Sequence, residues 1–181
     1  MKKLLFVILL SLGAIISNAQ FTSAVLQASG LTCAMCTKAI FNALDKIPSI
    51  ETVNPDIKNS AFHIVFKSNV PVDIDALKDA VEDAGFSVAK LKMTGNFTKT
   101  AVKNDEHVKI NGKTFHFLNV HNQTLNGEKE ITLVDKHFLT AKEFKKFSQA
   151  TDMQCVQTGK AADCCKKEGI AEHTRIYHVT I

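Results

Sequence analysis

Residues 23–46 read SAVLQASGLTCAMCTKAIFNALDK, and this stretch decides the fold of the first half of the chain. Its first six residues are β-prone and predict a strand, and apolar residues at helical spacing then predict a helix over 34–46, which Pro48 ends. Between these elements stands a loop that contains Cys33 and Cys36. Both sulfurs can turn towards one point, because Cys33 lies on the loop and Cys36 on the first helical turn.

The pattern after this helix completes a small α+β domain. A second helix is predicted over 74–84, where Asp73 is a suitable N-cap and Gly85 follows the last turn. The order βαββαβ over residues 20–92 is that of a ferredoxin-like fold, in which two helices cover one antiparallel sheet. The remaining strands are predicted at 50–53, 61–66 and 86–91.

The position of Cys33 and Cys36 at a helix start points to metal chemistry. The N-terminus of a helix has unpaired N–H groups and the positive end of its dipole, which favour thiolates. Thiolates are soft ligands. Two of them, with no His, Asp or Glu nearby in the sequence, favour an ion of low coordination number, Cu(I) or Hg(II), over four-coordinate zinc.

With these motifs, residues 21–91 resemble the heavy-metal-associated domain, the fold of copper chaperones, of the N-terminal modules of copper-transporting ATPases and of the periplasmic mercury-binding protein. Leu31 replaces the Met of the family's loop, which packs under the loop and does not bind metal. The segment 81–86, VEDAGF, matches the end of the family's second helix and the aromatic residue beside the metal loop. The family's Gly-Met-Thr-Cys-x-x-Cys loop is otherwise matched by Gly30, Thr32, Cys33 and Cys36.

The resemblance implies that Cys33 and Cys36 hold Cu(I), or Hg(II) or another soft metal ion. It implies a protein without catalytic activity, whose partner is a metal-transporting ATPase or another thiolate donor or acceptor of the metal. Two alternatives remain open for the same residues: a structural disulfide, and a thiol–disulfide oxidoreductase that uses the CxxC for redox chemistry. The chain has no Trp, which thioredoxin-like enzymes usually carry beside this motif, and metal binding is therefore favoured.

The second half of the chain has a different pattern. We predict a linker or first strand at 93–106, and then a β-rich domain over 107–181 with one helix before the last strand. Such a pattern is typical of a small barrel or meander, such as an OB-like fold. Its local signals are two hairpin dipeptides, Asn111-Gly112 and Asn126-Gly127, and a capping box, Thr140 with Glu143, that starts a helix burying Phe144 and Phe147.

Three further cysteines, Cys155, Cys164 and Cys165, lie in the loop CVQTGKAADCC. One interpretation is a disulfide from Cys155 to Cys164 or Cys165. The other is a second metal site in which a histidine joins the three thiolates; His173 and His178 follow closely in the sequence. The other histidines are scattered and are expected to be solvated or to lie on strand faces; they are His63, His107, His116, His121 and His137.

Residues 1–19 have the three parts of a signal peptide: two lysines, an apolar run and small residues before a cleavage site after Ala19. No Cys follows the apolar run as a site for lipid attachment, so we expect a periplasmic or secreted protein. No later stretch is apolar enough to span a membrane. Two units of the net charge of +4 come from Lys2 and Lys3, and the remainder is too small for a nucleic-acid surface.

Overall fold

The computed structural model describes residues 20–31 and 33–181, so the predicted signal peptide and Thr32 lie outside the described residues. The helices are α1 (Ala34–Leu44), α2 (Ile74–Asp83), α3 (Ala141–Ser148), α4 (Cys155–Thr158) and α5 (Asp163–Lys166). The strands are β1 (Gln20–Ser29), β2 (Ile50–Asp56), β3 (Ala61–Phe66), β4 (Ser87–Val102), β5 (Glu106–Ile110), β6 (Lys113–Phe117), β7 (Gln123–Leu133) and β8 (Ile176–Thr180). In the described part of the chain these strands form one sheet in the order β2-β3-β1-β4-β7-β8-β6-β5, in which β6 and β8 run parallel.

The predicted βαββαβ order of the first half is confirmed. Strand β1 pairs with β3 on one side and with β4 on the other, both antiparallel. Helix α2 begins where predicted, because the Asp73 carboxylate accepts hydrogen bonds from the backbone N–H groups of Asp75 and Ala76 at 3.1 and 3.3 Å. It ends before Gly85, whose φ of +87° lies in the left-handed region that glycine adopts most easily.

One apolar core extends under both halves of the chain. Helices α1 and α2 bury Ile40, Leu44, Leu77 and Val81 in it. The ring of Phe21 on β1 contacts rings from the second half of the molecule. The centroid distances are 6.4 Å to Phe97 and 6.0 Å to Phe115.

The segment 93–106, predicted as a linker or first strand, is mostly strand. Residues 93–102 form the second half of β4, which continues without a break from the first half of the molecule into the second. Here β4 pairs with β7, in a register that runs from Leu91 opposite Leu133 to Val102 opposite Gln123.

The second half is β-rich, as predicted, and the Thr140 capping box at the start of α3 is also confirmed. The Thr140 hydroxyl accepts a hydrogen bond from the backbone N–H of Glu143 at 3.4 Å and donates one to its carboxylate at 2.7 Å. Two short helices, α4 and α5, follow the predicted one. The strands do not close into an OB-like barrel, because β7 pairs with β4 and the sheet ends at the edge strand β5.

One of the two predicted hairpin turns is wrong. Asn111-Gly112 does connect β5 to β6, but Asn126-Gly127 lies inside β7. Gly127, with φ +70°, pairs with Phe97 where the register of β4 and β7 shifts. A positive φ serves a β-bulge as well as a turn, and the dipeptide alone does not distinguish the two.

No helix among the described residues is both long and apolar enough to cross a membrane.

An ion-pair network joins α2 to the second half of the molecule. The Asp75 carboxylate accepts hydrogen bonds from Nε and Nη2 of Arg175, each at 3.0 Å, and from the Tyr177 hydroxyl at 3.0 Å. Arg175 also donates to Asp135 at 2.9 Å. Burial raises the pKa of the Asp75 carboxyl, but the hydrogen bonds and charge of Arg175 outweigh it, and the net pKa lies below the ordinary value.

Asp75→Ala should lower the free energy of unfolding at pH 7 by about 1–3 kcal/mol, since it removes charge-assisted hydrogen bonds from a half-buried arginine. The control is Asp79→Ala in the same helix, whose carboxylate is 58% exposed and pairs with Lys78. It should change stability by less than about 0.5 kcal/mol. Equal effects of the two substitutions in urea unfolding would contradict the role of Asp75.

The cost of Asp75→Ala should also depend on pH. Because the pKa of Asp75 is lower in the folded state, its contribution is complete above the unfolded pKa, near 3.8, and is lost as the pH falls through the folded value. The difference in unfolding free energy between the wild type and the variant should therefore be constant from pH 7 to about pH 5 and shrink below about pH 4. A difference that grows on acidification would contradict this sign.

A fragment that covers residues 20–91 should be soluble and unfold cooperatively, because it keeps the two helices and the strands that they cover. It should be less stable than the chain 20–181, because it lacks β7 beside β4 and lacks the two phenylalanines that contact Phe21. Urea unfolding of both proteins measures this difference. An unfolded fragment would mean that the second half completes the core of the first.

Candidate metal centre

The CxxC loop is set by the end of β1 and the start of α1. Gly30, with φ +83°, turns the chain out of the strand, a conformation that a side chain would strain. The Phe86 ring lies directly beside it, at 3.8 Å from where a Cβ on Gly30 would stand. Leu31 and Phe86 both pack against the apolar core that extends under both halves of the chain, so the loop rests on an apolar base.

Cys33 is the N-cap of α1. Its Sγ accepts a hydrogen bond from the backbone N–H of Cys36 at 3.3 Å, and its carbonyl oxygen accepts one from the backbone N–H of Thr37 at 3.2 Å. Cys33 is exposed and Cys36 is half-buried, and both stand at the positive end of the helix dipole, which favours thiolate ligands. Met35, between them, is 79% exposed.

The arrangement of Cys33 and Cys36 suits a metal ion that is bound by two thiolates. Among the described residues, the convergent groups of three or more potential ligands lie elsewhere in the molecule. A site with two soft ligands, open to solvent on one side, fits Cu(I) better than a closed four-coordinate ion.

The three C-terminal cysteines converge on one point. Cys155 on α4 and Cys165 on α5 are fully buried, and Cys164 is half-buried. Their sulfur atoms all lie within 4.8 Å of one another, and those of Cys164 and Cys165 are 3.5 Å apart. All five cysteines of the chain are thiols in this structure. The disulfide from Cys155 to Cys164 or Cys165 stays a prediction.

The histidines at this cluster are not those nearest in sequence. Nε2 of His107 lies 3.9 Å from Sγ of Cys155 and 3.8 Å from Sγ of Cys165, and Nδ1 of His116 lies 3.9 Å from Sγ of Cys155. His178 is buried beside His116, with ring centroids 5.2 Å apart. The other four histidines are exposed: His63, His121, His137 and His173.

The sequence does carry a signal for these histidines, but the signal lies in strand pairing and not in closeness along the chain. A hairpin centred on Asn111-Gly112 pairs residues at equal distance on either side, so His107 faces His116 across β5 and β6. The parallel pairing of β6 with β8 then places His178 opposite His116. Three imidazoles therefore stand side by side on one face of three strands.

Burial keeps the His116 imidazole and the Cys155 thiol uncharged. Desolvation, together with the nearby His107 and His178, lowers the pKa of His116 to about 4, so its imidazole is neutral at neutral pH. Desolvation and the neighbouring thiols of Cys165 and Cys164 raise the pKa of the Cys155 thiol. A neutral imidazole and a thiol that can lose its proton are the forms from which metal ligands arise.

The comparisons with known proteins concern the first half of the chain. Residues 25–87 match the model of the heavy-metal-associated domain family. The chain is 31% identical over 91 residues to the "Probable copper-transporting ATPase HMA5" of Arabidopsis thaliana, an alignment that covers 50% of this chain and 9% of that protein. It is 28% identical over 65 residues to the copper chaperone CopZ of Bacillus subtilis, covering 36% of this chain and 93% of CopZ.

Among solved structures, a CopZ metallochaperone aligns at 25% identity with a TM-score of 0.35, over 38% of this chain and 100% of that one. The chain thus spans less than a tenth of the copper-transporting ATPase and nearly all of the small chaperone. No family model matches the C-terminal half. The resemblance predicted from the Gly30–Cys36 loop is confirmed over residues 25–87, which match the family model of the heavy-metal-associated domain.

Proposed function

We propose that this protein is an exported copper carrier that holds Cu(I) between Cys33 and Cys36 and passes it to a thiolate acceptor, such as a metal-transporting ATPase. The observation that carries the proposal is the position of both cysteines at the N-terminus of α1, in the domain that resembles copper chaperones. Hg(II) or another soft ion would occupy the same two ligands. The cargo is bound and released, and no bond of a substrate is made or broken.

Transfer follows from the exposure of the loop. Cys33 and Met35 face solvent, so an incoming thiolate can approach the ion from that side. The partner's thiolate becomes a third ligand, one of the protein's own sulfurs then leaves, and the ion is never free in solution. The half-buried Cys36 and the Phe86 ring limit the approach from the other side.

Export is part of the proposal and rests on residues 1–19, with their lysines, apolar run and small residues before the expected cleavage site. The protein would then act in the periplasm or outside the cell. Thiols there oxidise unless a metal or a reductant protects them, and a disulfide between Cys33 and Cys36 would be the metal-free resting form.

Replacing both cysteines, Cys33→Ser with Cys36→Ser, should remove one equivalent of tightly bound Cu(I) from the reduced protein, because hydroxyls are hard ligands. Titration against a competing Cu(I) chelator measures this loss as the difference in bound equivalents between the wild type and the variant, so Cu(I) bound at other sites of the chain does not obscure it. The control is Met35→Ala, which removes an exposed thioether from the same loop and should leave the affinity unchanged. If the double variant still binds this equivalent of Cu(I) with unchanged affinity, the loop is ruled out as the site.

Transfer should be faster than spontaneous release. Cu(I)-loaded protein mixed with a reduced CxxC acceptor domain should lose its ion at a rate that rises with acceptor concentration, as ligand exchange requires. A rate equal to that of release to a non-thiol trap would contradict direct exchange. Catalytic reduction of insulin disulfides by the metal-free protein would instead favour the oxidoreductase alternative.

A further inference from the structure

The cysteine cluster of the second half has the dimensions of a metal site. An ion with tetrahedral bonds of about 2.3 Å to sulfur and about 2.0–2.1 Å to nitrogen places its ligand atoms about 3.5–3.8 Å apart. The sulfurs of Cys164 and Cys165 are 3.5 Å apart, and Nε2 of His107 lies 3.8 and 3.9 Å from the sulfurs of Cys165 and Cys155. Cys155 belongs to two groups of converging ligand atoms, one with Cys164 and Cys165 and one with His107 and His116, and within each group the atoms lie within 4.8 Å of one another.

The histidines are oriented as metal ligands are. Nδ1 of His107 lies 3.0 Å from a carboxylate oxygen of Glu168, which leaves Nε2 facing the thiols. On His116, Nε2 lies 2.9 Å from a carboxylate oxygen of Asp105, which leaves Nδ1 facing Cys155. A carboxylate that fixes the far nitrogen of an imidazole is the usual outer partner of a metal-binding histidine.

Burial of the ligand side chains is a third observation in favour of a metal site. Cys155 and Cys165 are 0% exposed, and the side chain of His107 is 2% exposed. The thiols and imidazoles contact one another through weak sulfur–nitrogen hydrogen bonds of 3.8–3.9 Å, and a metal ion bound between the same atoms would replace these contacts. The cluster lies on the sheet face opposite Phe115 and Tyr177, under α4 and α5 and beside a second apolar core.

We propose that Cys155, Cys164, Cys165 and His107 form a second metal site, separate from the CxxC loop, for a thiophilic d10 ion, Zn(II) or Cu(I). Binding releases the thiol protons to solvent and needs no oxidant or reductant. The ion joins β5, α4 and α5, and so fastens the segment after α3, which has little regular structure, to the sheet. The site differs from the loop in being closed, and it suits retention of an ion rather than exchange.

The test uses the full chain with Cys33→Ser and Cys36→Ser, so that the loop cannot contribute. This parent protein, reduced and kept anaerobic, is titrated separately with Zn(II) and Cu(I) against competing chelators. We expect one equivalent of at least one ion and a rise in melting temperature of about 5–10 °C on binding. The ion bound with the higher affinity distinguishes a zinc site from a second copper site.

Two further substitutions in this parent assign the ligands. Cys164→Ser removes a half-buried ligand and should abolish tight binding, and Glu168→Gln should weaken it about 10–100-fold by loosening His107. The matched control is Glu172→Gln, a nearby exposed glutamate that pairs with Lys166 and should have no effect. Circular dichroism of the metal-free proteins confirms that each variant is folded.

Three outcomes would overturn the site. They are that the folded, reduced parent binds neither ion, that Cys164→Ser binds as tightly as the parent, and that Glu168→Gln behaves like Glu172→Gln. A disulfide from Cys155 to Cys164 or Cys165, found by mass spectrometry in metal-free protein from its own compartment, would also overturn it in favour of a structural cross-link.

Discussion

Strand β4 pairs with β1 along one edge and with β7 along the other, and its sixteen residues belong to both halves of the molecule. The first part of β4 closes the βαββαβ unit beside β1, and the second half of the molecule begins as an extension of the same strand. The sheet continues through β7 and β8 because β4 leaves a full edge of backbone N–H and C=O groups to be paired. The placement of the cysteine cluster and of the Asp75–Arg175 network follows from this extension.

The first half could be predicted closely because its signals are local. Asp73 caps a helix, Gly85 ends one, and a strand, a CxxC loop and a helix follow one another within 24 residues. Each element also meets its partner within a short stretch of sequence, so local patterns and the final pairing agree. The sheet order of the second half could not be predicted, because β7 pairs with β4 and β8, and no tight hairpin turn joins it to either strand.

The two Asn-Gly dipeptides illustrate the limit of prediction from local sequence patterns. At Asn111-Gly112 the positive φ values close a hairpin, whereas at Gly127 the same preference makes a bulge opposite Phe97. The histidines show the opposite case, in which a local signal is sufficient. His107 and His116 look scattered along the chain, but the correctly predicted first turn already fixes them as cross-strand partners. Their proximity to Cys155 depends on where α4 and α5 pack, which no local pattern encodes.

The continuity of the sheet also determines where metal ions can travel. The CxxC loop follows β1, and the cysteine cluster lies over β6, four strands away, which is about 19 Å at the usual strand spacing. The intervening strands are hydrogen bonded to one another, so the loop cannot swing towards the cluster as it could on a flexible tether. The two metal sites that we propose would therefore not share an ion by contact within one molecule. Each proposed site would be filled and emptied from outside, so that one chain would hold two different metals, or the same metal on two timescales.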